Sequence, residues 1–573
     1  MNNTARKVHA QFQNVLNFSL MAVSLRRIGL AQVRRAGGFM QDWWRGSVTY
    51  QVYPRSFQDS DGDGIGDLPG ITARLGHLAR LGVDALWLSP IFRSPMADMG
   101  YDVSDYTDVD PLFGSLQDFD DLIGRAHDLG LKVIIDQVIS HSSDQHPFFQ
   151  DSRKSKEAEK ADWYVWADAN PDGSPPNNWL SVFGGSAWEW DSRRRQYYLH
   201  NFLPSQPDLN FHNPKVQDWA LSVLRFWLDR GVDGFRLDTV NYYFHDENLR
   251  SNGPLARVDN RPPVNPYELQ DHEFSKSRPE NLDWLARMRA LLDEYADRTM
   301  VGEVGDAPHR NVAIMADYTR PGRLHMAYSF DMLGPEFTAA HFREKIEGFF
   351  AGAPDGWPMW AFSNHDVVRH VSRWDAHGTQ DAVAKLAAAM LLSFEGSICL
   401  YQGEELGQTE TDIAFHELTD PPGIRFWPDY KGRDGCRTPM VWDESVHGGF
   451  TTGTPWLPVK PPQAARNLAA QEGKAGSVFE FYRAMLGFRH RTPELRNGRT
   501  RFFDVDEPVL AFARGDTLAC AFNLSGKPVL LAADGVLDDG PAHAAHLEDG
   551  RLVLGPNGFC FLRPKAGKLS ISR

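Results

Sequence analysis

Short hydrophobic runs recur along most of the chain, and helical periodicity follows them. In the segment with Phe119, Leu122, Ile123 and Ala126, spacings of three and four residues place the side chains on one helix face. Hydrophobic runs of strand length lie at residues 48–57, 83–90, 132–139, 231–240, 299–304, 326–333, 359–366 and 397–405. Continuous hydrophobic strands that alternate with helices indicate a parallel sheet covered on both faces. Eight such units predict an α/β fold, a (β/α)8 TIM barrel.

Two stretches interrupt this alternation. Residues 141–210 are rich in Trp, Asn, Pro and Ser without helical periodicity, and they are too long for a simple loop, so they predict an inserted domain after strand 3. After residue 495, short alternating runs such as 509–514 and 517–524, separated by Gly515 and Asp516, predict a C-terminal antiparallel β-sandwich. We assign residues 40–140 and 211–494 to the barrel and 495–573 to the sandwich.

The first 39 residues differ from the rest because they contain six Lys and Arg residues and no acid. Their apolar stretch, residues 16–30, is interrupted by polar and basic residues, which is poor for a signal peptide. We expect residues 1–39 to be a disordered extension, with Met40 opening the folded protein. A targeting segment, and with it a periplasmic location, is the alternative.

Charge and cysteine content limit the partners and the compartment. A formal charge of −15 argues against nucleic acid. The sequence contains no run of about 18 apolar residues, the length that a membrane-spanning helix needs. Four cysteines without a CxxC pair predict free thiols, a reducing compartment and therefore the cytoplasm. We expect a monomer or a homodimer that acts on a small molecule.

Three carboxylates lie in or just after hydrophobic runs: Asp238 in GFRLDTVN, Glu303 in MVGEV and Asp366 in FSNHD. In a (β/α)8 barrel, active residues lie at the carboxyl ends of the strands, which meet at one rim. Glycoside cleavage requires one carboxylate at the anomeric carbon and one carboxylic acid that protonates the leaving oxygen. The pattern therefore predicts a glycosidase.

The motifs strengthen this prediction. In order, the chain contains DQVISH (136–141), QPDLN (206–210), GFRLDTVN (234–241), GEV (302–304) and FSNHD (362–366). From about residue 40 to 566 the chain resembles glycoside hydrolase family 13, the α-amylase family, in its α-glucosidase and oligo-1,6-glucosidase branch. The resemblance implies a (β/α)8 barrel with a B domain after strand 3 and a C-terminal β-sandwich, and the hydrophobic pattern predicts the same architecture.

The resemblance implies that Asp238 is the nucleophile, Glu303 the acid/base and Asp366 the stabiliser of the transition state. In a retaining mechanism the first two carboxyl groups lie about 5 to 5.5 Å apart. Arg236, two residues before Asp238, lies on the same side of the strand, where its charge would keep the nucleophile ionised.

The resemblance also implies a substrate pocket. His141, His365 and Asp102 would hydrogen-bond hydroxyls of the terminal glucose, and Tyr101 would stack on its ring. Arg433 resembles an arginine that contacts the same sugar, with Arg437 as the alternative. Phe202 and Phe183 either line the entrance or pack in a core.

A second cluster of acids is DSDGDGIGD, residues 59–67. Asp59, Asp61, Asp63, the Ile65 carbonyl and Asp67 follow the ligand spacing of an EF-hand loop, but its last position is Gly70 and not Glu. In the α-glucosidase branch the same run forms a structural Ca2+ or Mg2+ loop, so we expect such an ion here and no organic cofactor. A solvated acidic turn is the alternative.

Bond specificity depends on fewer residues. In this branch the residue after the nucleophile tends to be Val in α-1,6 enzymes and Ala or Thr in α-1,4 enzymes, and here it is Thr239. We therefore expect an exo-acting α-glucosidase that prefers α-1,4 bonds, with transglucosylation left open. QPDLN also occurs in oligo-1,6-glucosidases and sucrose isomerases, but the string after Asp366 lacks the RLDRD of sucrose isomerases. Relatives that serve as non-catalytic subunits of amino-acid transporters carry a membrane span and have often lost the carboxylates.

Overall fold

The computed structural model describes residues 42–256, 263–565 and 569–572. From Trp44 onward the chain forms one compact unit. The expectation for residues 1–39 lies outside the described residues.

The predicted barrel is present. Its eight parallel strands are β1 (Val48–Val52), β2 (Ala85–Leu88), β3 (Lys132–Gln137), β4 (Gly234–Leu237), β5 (Thr299–Val304), β6 (Met326–Ser329), β7 (Met359–Ala361) and β8 (Ser397–Tyr401). Each strand pairs with its neighbours in the chain, β8 pairs with β1, and a bridge between Ala327 and Pro358 joins β6 to the start of β7. The (β/α)8 prediction is therefore confirmed.

A helix follows every barrel strand. These helices are α1 (Leu68–Leu81), α2 (Leu116–Asp128), α3 (Pro214–Asp229), α4 (Asn281–Leu292), α5 (Pro308–Tyr318), α6 (Ala339–Gly352), α7 (Gln380–Leu391) and α8 (Val478–Arg491). The apolar face predicted for α2 is the one it buries. At its start, Ser115 and Asp118 form a capping box that satisfies amides left without helical partners.

Most strands end earlier than their hydrophobic runs. The run 48–57 contains only β1, because Pro54–Ser56 forms a turn of 3-10 helix. The run 397–405 stops at Tyr401, and Gly403 then takes the left-handed backbone of a turn. The excess hydrophobic residues belong to buried loops above the barrel, so apolar patterning alone overestimates strand length.

Between β3 and α3 the chain forms the inserted region. It contains a short helix, Pro147–Ser152, and an antiparallel sheet of three strands, Trp166–Ala167, Trp188–Asp191 and Gln196–Leu199. Trp179, Trp188 and Leu199 are among the residues of its own small hydrophobic core. Two further short ladders pair Phe92–Arg93 with Asp105–Val109 and Gly253–Pro254 with Gln270–Asp271.

The C-terminal part is an antiparallel sheet, as predicted. Its strands are Thr500–Phe502, Val509–Arg514, Leu518–Asn523, Val529–Asp534, Val536–Leu537, His543–Glu548, Arg551–Arg563 and Ser570–Ser572. All four cysteines are buried and free. Of the helices in the part of the chain that the structure describes, none is long and apolar enough to cross a membrane.

Short helices occupy the loops. Those with 3-10 geometry are Pro54–Ser56, Pro266–Leu269, Phe330–Met332, Asp375–His377, Glu404–Leu406, Phe415–Glu417 and Val446–Gly449. The α-helical ones are His370–Arg373, Pro421–Arg425, Asp434–Arg437, Pro461–Ala464 and Pro493–Asn497.

Candidate active site

A cavity of about 460 Å³ lies at the carboxyl ends of the barrel strands. Asp238, Glu303 and Asp366 all line it, although they are far apart in the chain. Asp238 directly follows β4, and Glu303 is the penultimate residue of β5. The inserted region contributes Phe183 and Phe202 to the wall of the cavity.

One buried guanidinium holds two of the three carboxylates. Arg236, which is 1% exposed, donates from Nη1 to Asp238 Oδ1 at 2.6 Å, and its Nη2 pairs with Glu303 Oε1. The same Nη1 donates to Asp136 Oδ1 at 2.8 Å, because Asp136 on β3 lies directly opposite Arg236 in the parallel register. Arg236 therefore fixes the positions of Asp238 and Glu303 relative to each other, as charge-assisted hydrogen bonds do.

Glu303 has two further donors. The Tyr328 hydroxyl on β6 donates to Oε1 at 2.8 Å, and the backbone N–H of Thr239 donates to Oε2 at 3.2 Å. Thr239 has a φ of 42°, a left-handed conformation that is unfavourable for a β-branched residue and costs on the order of 1 to 3 kcal/mol. The strained turn after the strand is what directs the Thr239 N–H to Glu303.

Asp238 and Glu303, the two carboxyl groups bonded to Arg236, both have raised pKa values. Burial raises the pKa of Asp238 to about 7 against the opposing charge of Arg236, and the neighbouring carboxylate Asp136 adds to the rise. Burial likewise raises the pKa of Glu303 to about 7, opposed by Arg236 and supported by Asp238 and Asp366. Because the charge of Asp238 raises the pKa of Glu303, an ionised Asp238 favours a protonated Glu303. This direction suits a site with one carboxylate and one carboxylic acid.

Asp366 is kept ionised by different neighbours. Its Oδ1 accepts from Arg433 Nη1 at 3.2 Å and from Arg437 Nη2 at 3.0 Å. Burial alone would raise the pKa of Asp366, but His365 and these two arginines hold it below its usual value. Burial also lowers the pKa of His365 to about 3, so this ring is neutral at pH 7 and the two arginines carry the positive charge.

The floor of the cavity presents neutral hydrogen-bonding groups. The Tyr101 hydroxyl lies 2.6 Å from His365 Nε2, and the two rings stack with centroids 5.3 Å apart. Burial lowers the pKa of His141 to about 4, so both histidines are uncharged at neutral pH. Neutral imidazoles offer one donor and one acceptor each, which suits hydroxyl ligands.

The structure brings most of the predicted substrate residues to this cavity. Those that line it are Tyr101, His141, Phe202, Thr239, His365 and Arg433. Arg236 instead lies beneath the carboxylates. Phe183, for which a core position was the alternative, also lines the cavity and packs against Phe202 with ring centroids 5.6 Å apart.

Asp102 is not at the cavity. It is 0% exposed, and its carboxylate accepts from Ser94 Oγ at 2.9 Å and from the backbone N–H groups of Ala97 at 2.9 Å and Asp98 at 3.0 Å. These bonds hold together the loop that precedes Asp102. The expectation that Asp102 faces a ligand is therefore wrong. Asp98 lines the cavity in its place and pairs with Arg433 Nη2 at 2.8 Å.

Sequence reasoning also missed other residues of the site. Gln206 belongs to the QPDLN motif and lines the cavity, as does Tyr242, whose ring lies 5.6 Å from that of Phe202. The position of Gln206 in a quoted motif was a signal that could have identified it. Arg437 was named from the sequence only as the alternative to Arg433, and the structure places both at Asp366. Tyr328 carried no comparable signal, because only the pairing of β5 with β6 brings it opposite Glu303.

The acidic loop lies apart from this cavity, between β1 and α1. Ligand atoms of Asp59, Asp61 and Asp67 lie within 4.8 Å of one another. Asp59 also accepts from the backbone N–H groups of Asp61, Gly62 and Gly64, at 3.0, 2.7 and 2.9 Å. Burial and the charges of Asp61, Asp59 and Asp67 raise the pKa of Asp63. Several carboxylate oxygens in one tight turn are the donor type that Ca2+ and Mg2+ prefer, so these residues fit such an ion.

Comparison with known proteins agrees with this geometry. Residues 51–498 match the family model of the α-amylase catalytic domain. A probable alpha-glucosidase from Rhizobium meliloti (strain 1021) is 56% identical over 497 residues, which cover 85% of this chain and 90% of that protein. An oligo-1,6-glucosidase from Heyndrickxia coagulans is 36% identical over 530 residues, covering 86% and 93%. The crystal structure of the α-glucosyl transfer enzyme XgtA is 50% identical, with a TM-score of 0.87, and the match covers 93% of this chain and 100% of that one. The chain thus belongs to the α-amylase family of glycoside hydrolases, in the branch that contains α-glucosidases and oligo-1,6-glucosidases.

Proposed function

We propose that the protein is a retaining, exo-acting α-glucosidase that releases terminal α-glucosyl residues from short oligosaccharides. The observation that carries the proposal is the Asp238–Arg236–Glu303 cluster, in which one guanidinium bonds to two carboxyl groups whose pKa values are raised by burial. In the first step Asp238 attacks the anomeric carbon while Glu303 gives its proton to the leaving oxygen. In the second step Glu303 removes a proton from water, which displaces Asp238 from the glucosyl intermediate. The ionised Asp366 stabilises the positive charge that develops on the sugar.

The shape and charge of the cavity support exo action. Arg433 bonds at once to Asp366, Asp98 and Asp420, the last at 2.6 Å, and so closes one side of the pocket. A pocket of about 460 Å³ that is closed on this side favours the end of a glucose chain over its middle, which supports the proposal of exo action. We assign contacts with the terminal glucose to Tyr101, His141, His365, Arg433 and, in place of Asp102, Asp98.

For linkage we propose a preference for α-1,4 bonds. Thr239 lies in the cavity wall with its hydroxyl 3.3 Å from Asp238 Oδ2, next to the bond that is cleaved. A preference for α-1,6 bonds is the second candidate, because one relative is named an oligo-1,6-glucosidase. The solved relative named an α-glucosyl transfer enzyme supports transglucosylation as an additional outcome. The presence of all three carboxylates in one cavity argues against a non-catalytic transporter subunit.

We further propose that the loop of Asp59, Asp61, Asp63, Ile65 and Asp67 binds a structural Ca2+ or Mg2+ ion. The three clustered carboxylates support this, and the loop packs against residues 450–456 through the hydrogen bonds Asp59 N–H to Phe450 O at 3.0 Å and Trp456 N–H to Gly64 O at 3.0 Å. No chemical step involves this ion. Its binding would offset the repulsion among the acids and fasten the loop to the barrel.

The test is a parallel measurement of kcat/KM on maltose, isomaltose, sucrose, trehalose and soluble starch. We expect maltose to be the best of these substrates and soluble starch the poorest. Asp238→Asn and Glu303→Gln should each lose several orders of magnitude in turnover while folding normally, because both changes keep the side-chain shape. More than a tenth of wild-type activity in either variant would refute the assignment.

A further inference from the structure

A chain of four polar side chains connects the cavity floor to the nucleophile. His141 Nδ1 lies 2.9 Å from Ser140 Oγ, Ser140 Oγ lies 3.1 Å from Thr239 Oγ1, and Thr239 Oγ1 lies 3.3 Å from Asp238 Oδ2. Ser140 and His141 are both buried. Ser140 does not line the cavity, so it acts only through its neighbours.

The backbone around His141 determines the direction of these hydrogen bonds. His141 Nε2 lies 3.0 Å from the Tyr101 carbonyl oxygen, which can only accept, so Nε2 carries the ring proton. The amide Nε2 of Gln206 also lies 3.2 Å from His141 Nε2, but the amide is oriented towards oxygen acceptors. Its Oε1 accepts from the Leu203 N–H at 3.0 Å, and its Nε2 hydrogens have acceptors in Asp98 Oδ2 at 3.2 Å and Tyr101 O at 3.3 Å. In the neutral ring Nδ1 is therefore an acceptor, and the Ser140 hydroxyl donates to it.

The single proton of each hydroxyl then fixes the rest of the chain. Ser140 has given its proton to His141, so towards Thr239 it can only accept. The Thr239 hydroxyl has two acceptors in reach, Ser140 Oγ at 3.1 Å and Asp238 Oδ2 at 3.3 Å, and one proton for them. Ser140 competes with the nucleophile for that proton at the shorter distance.

We propose that Ser140 is a positioning residue that holds the Thr239 hydroxyl away from Asp238 Oδ2 and keeps that oxygen free to attack the anomeric carbon. The inference rests on the proposed function of Asp238. A hydrogen bond to a carboxylate stabilises its ionised form and weakens it as a nucleophile. Asp238 Oδ1 is already bonded to Arg236, so Oδ2 is the oxygen available for attack.

Replacing Ser140 leaves the other groups around Asp238 in place. These groups are Arg236 on β4, Asp136 on β3, Glu303 on β5, Asp366 after β7, and the hydroxyls of Tyr101 and Tyr243. Ser140→Ala also removes the hydroxyl that donates to His141. That loss is the same in the wild-type and Thr239→Val backgrounds, so the difference between the two backgrounds reports on the Thr239 hydroxyl.

The first measurement is kcat/KM on p-nitrophenyl α-glucoside as a function of pH. In Ser140→Ala the Thr239 hydroxyl turns to Asp238 Oδ2, so we expect kcat/KM at the optimum to fall by about fivefold to tenfold. The acidic limb should move to lower pH, because a bond to the ionised form lowers the pKa. Ser140→Thr, which keeps the hydroxyl, should recover most of the loss and restore the wild-type limb.

A double-mutant cycle separates this effect from a loss of packing. Thr239→Val removes the hydroxyl that Ser140 restrains, so adding Ser140→Ala to it should change kcat/KM by less than about twofold. Thr239→Ser keeps the hydroxyl, and adding Ser140→Ala to it should reproduce the fall. Thermal unfolding checks each variant, and Ser140→Cys, with its weak donor, replaces Ser140→Ala if that variant does not fold.

An equal fall in the Thr239→Val and wild-type backgrounds would overturn the inference, and so would an unchanged activity and pH profile in Ser140→Ala. A wild-type protein that does not cleave the glucoside would instead refute the proposed function. The two failures are therefore distinguishable.

Discussion

The carboxylates of the site obtain different properties from their partners and not from their residue type. Asp238 and Asp366 are both aspartates in one cavity, yet burial raises the pKa of the first, while the charges of His365, when it is protonated, and of two arginines lower that of the second. Near neutral pH, Asp238 and Glu303 therefore bind a proton more readily than Asp366, which is held in its charged form. This division supplies the acid, the nucleophile and the fixed charge that a retaining glycosidase requires.

Tyr328 should lower the pKa of Glu303, the proposed acid/base. Its hydroxyl donates to Glu303 Oε1 at 2.8 Å, and this bond favours the ionised form and lowers the pKa of Glu303. Tyr328→Phe removes it, so the pKa rises, Glu303 keeps its proton to higher pH, and the basic limb of kcat/KM should move up by roughly half a unit to one unit. The control is Tyr243→Phe, because the buried Tyr243 hydroxyl has no hydrogen-bond partner among the described residues. A basic limb that stays in place or moves down in Tyr328→Phe would contradict this role.

Thr239 should set the linkage preference. Thr239→Val replaces a hydroxyl with a methyl of similar volume beside the cleaved bond. We expect the ratio of kcat/KM for isomaltose to that for maltose to rise several-fold, which corresponds to about 1 kcal/mol of differential transition-state binding. Thr239→Ser, which keeps the hydroxyl, should stay near the wild-type ratio. A wild type that prefers isomaltose, or a flat ratio in Thr239→Val, would remove the support for an α-1,4 preference.

Strands and helices were predictable because burial on one or both faces leaves a pattern in the sequence. All eight barrel strands lie within the predicted hydrophobic runs, and this placed Asp238, Glu303 and Asp366 at one rim. Loops leave no such pattern. Asp98 and Asp102 lie four residues apart in one loop, and only its turn, in which Ala97 and Asp98 donate to Asp102, decides which of the two faces the cavity. Thr239 likewise contacts Glu303 through a left-handed turn that no periodicity indicates.

The acidic loop should stabilise the fold without affecting catalysis. Asp63 is exposed and its loop packs on residues 450–456, outside the cavity. Asp63→Ala, or treatment with a chelator, should lower the melting temperature by several degrees while KM for maltose stays unchanged. Asp539→Ala, at an exposed acid in a loop after the strand Val536–Leu537, is the matched control. A melting curve that does not shift after verified metal removal would refute the metal proposal.

The C-terminal sheet braces the barrel from the side of α6 and α7. Glu507 accepts from the first two amides of α6, Ala339 at 3.2 Å and Ala340 at 2.8 Å. Arg514, in the strand Val509–Arg514, donates to the carbonyl oxygen of Ser393 just after α7. The bonds to Glu507 satisfy amides that the start of a helix leaves unpaired. The sheet therefore stabilises barrel helices. None of its described residues lines the cavity, whose wall is formed by the barrel and the inserted region.

This bracing predicts a change in stability without a change in activity. Glu507→Ala leaves two amides at the start of α6 without their carboxylate partner, at a cost of about 1 kcal/mol. The melting temperature should fall by about 1 to 2 °C, with kcat and KM for maltose unchanged. Glu548→Ala, an exposed glutamate of the same sheet, should leave the melting temperature in place. A fall in kcat without a fall in melting temperature would show that the sheet acts on the active site itself.

The most direct test of the roles of Asp238 and Glu303 is to trap the glucosyl intermediate. Fluoride needs no proton to leave, so Glu303→Gln should still transfer glucose from α-glucosyl fluoride to Asp238, but without its base it should release the sugar slowly. Digestion and mass spectrometry of the mixture should find one glucosyl group on the peptide that contains Asp238. The same treatment of the double variant Asp238→Asn with Glu303→Gln should find none. The absence of an adduct in Glu303→Gln, or an adduct on any residue other than Asp238, would contradict the mechanism.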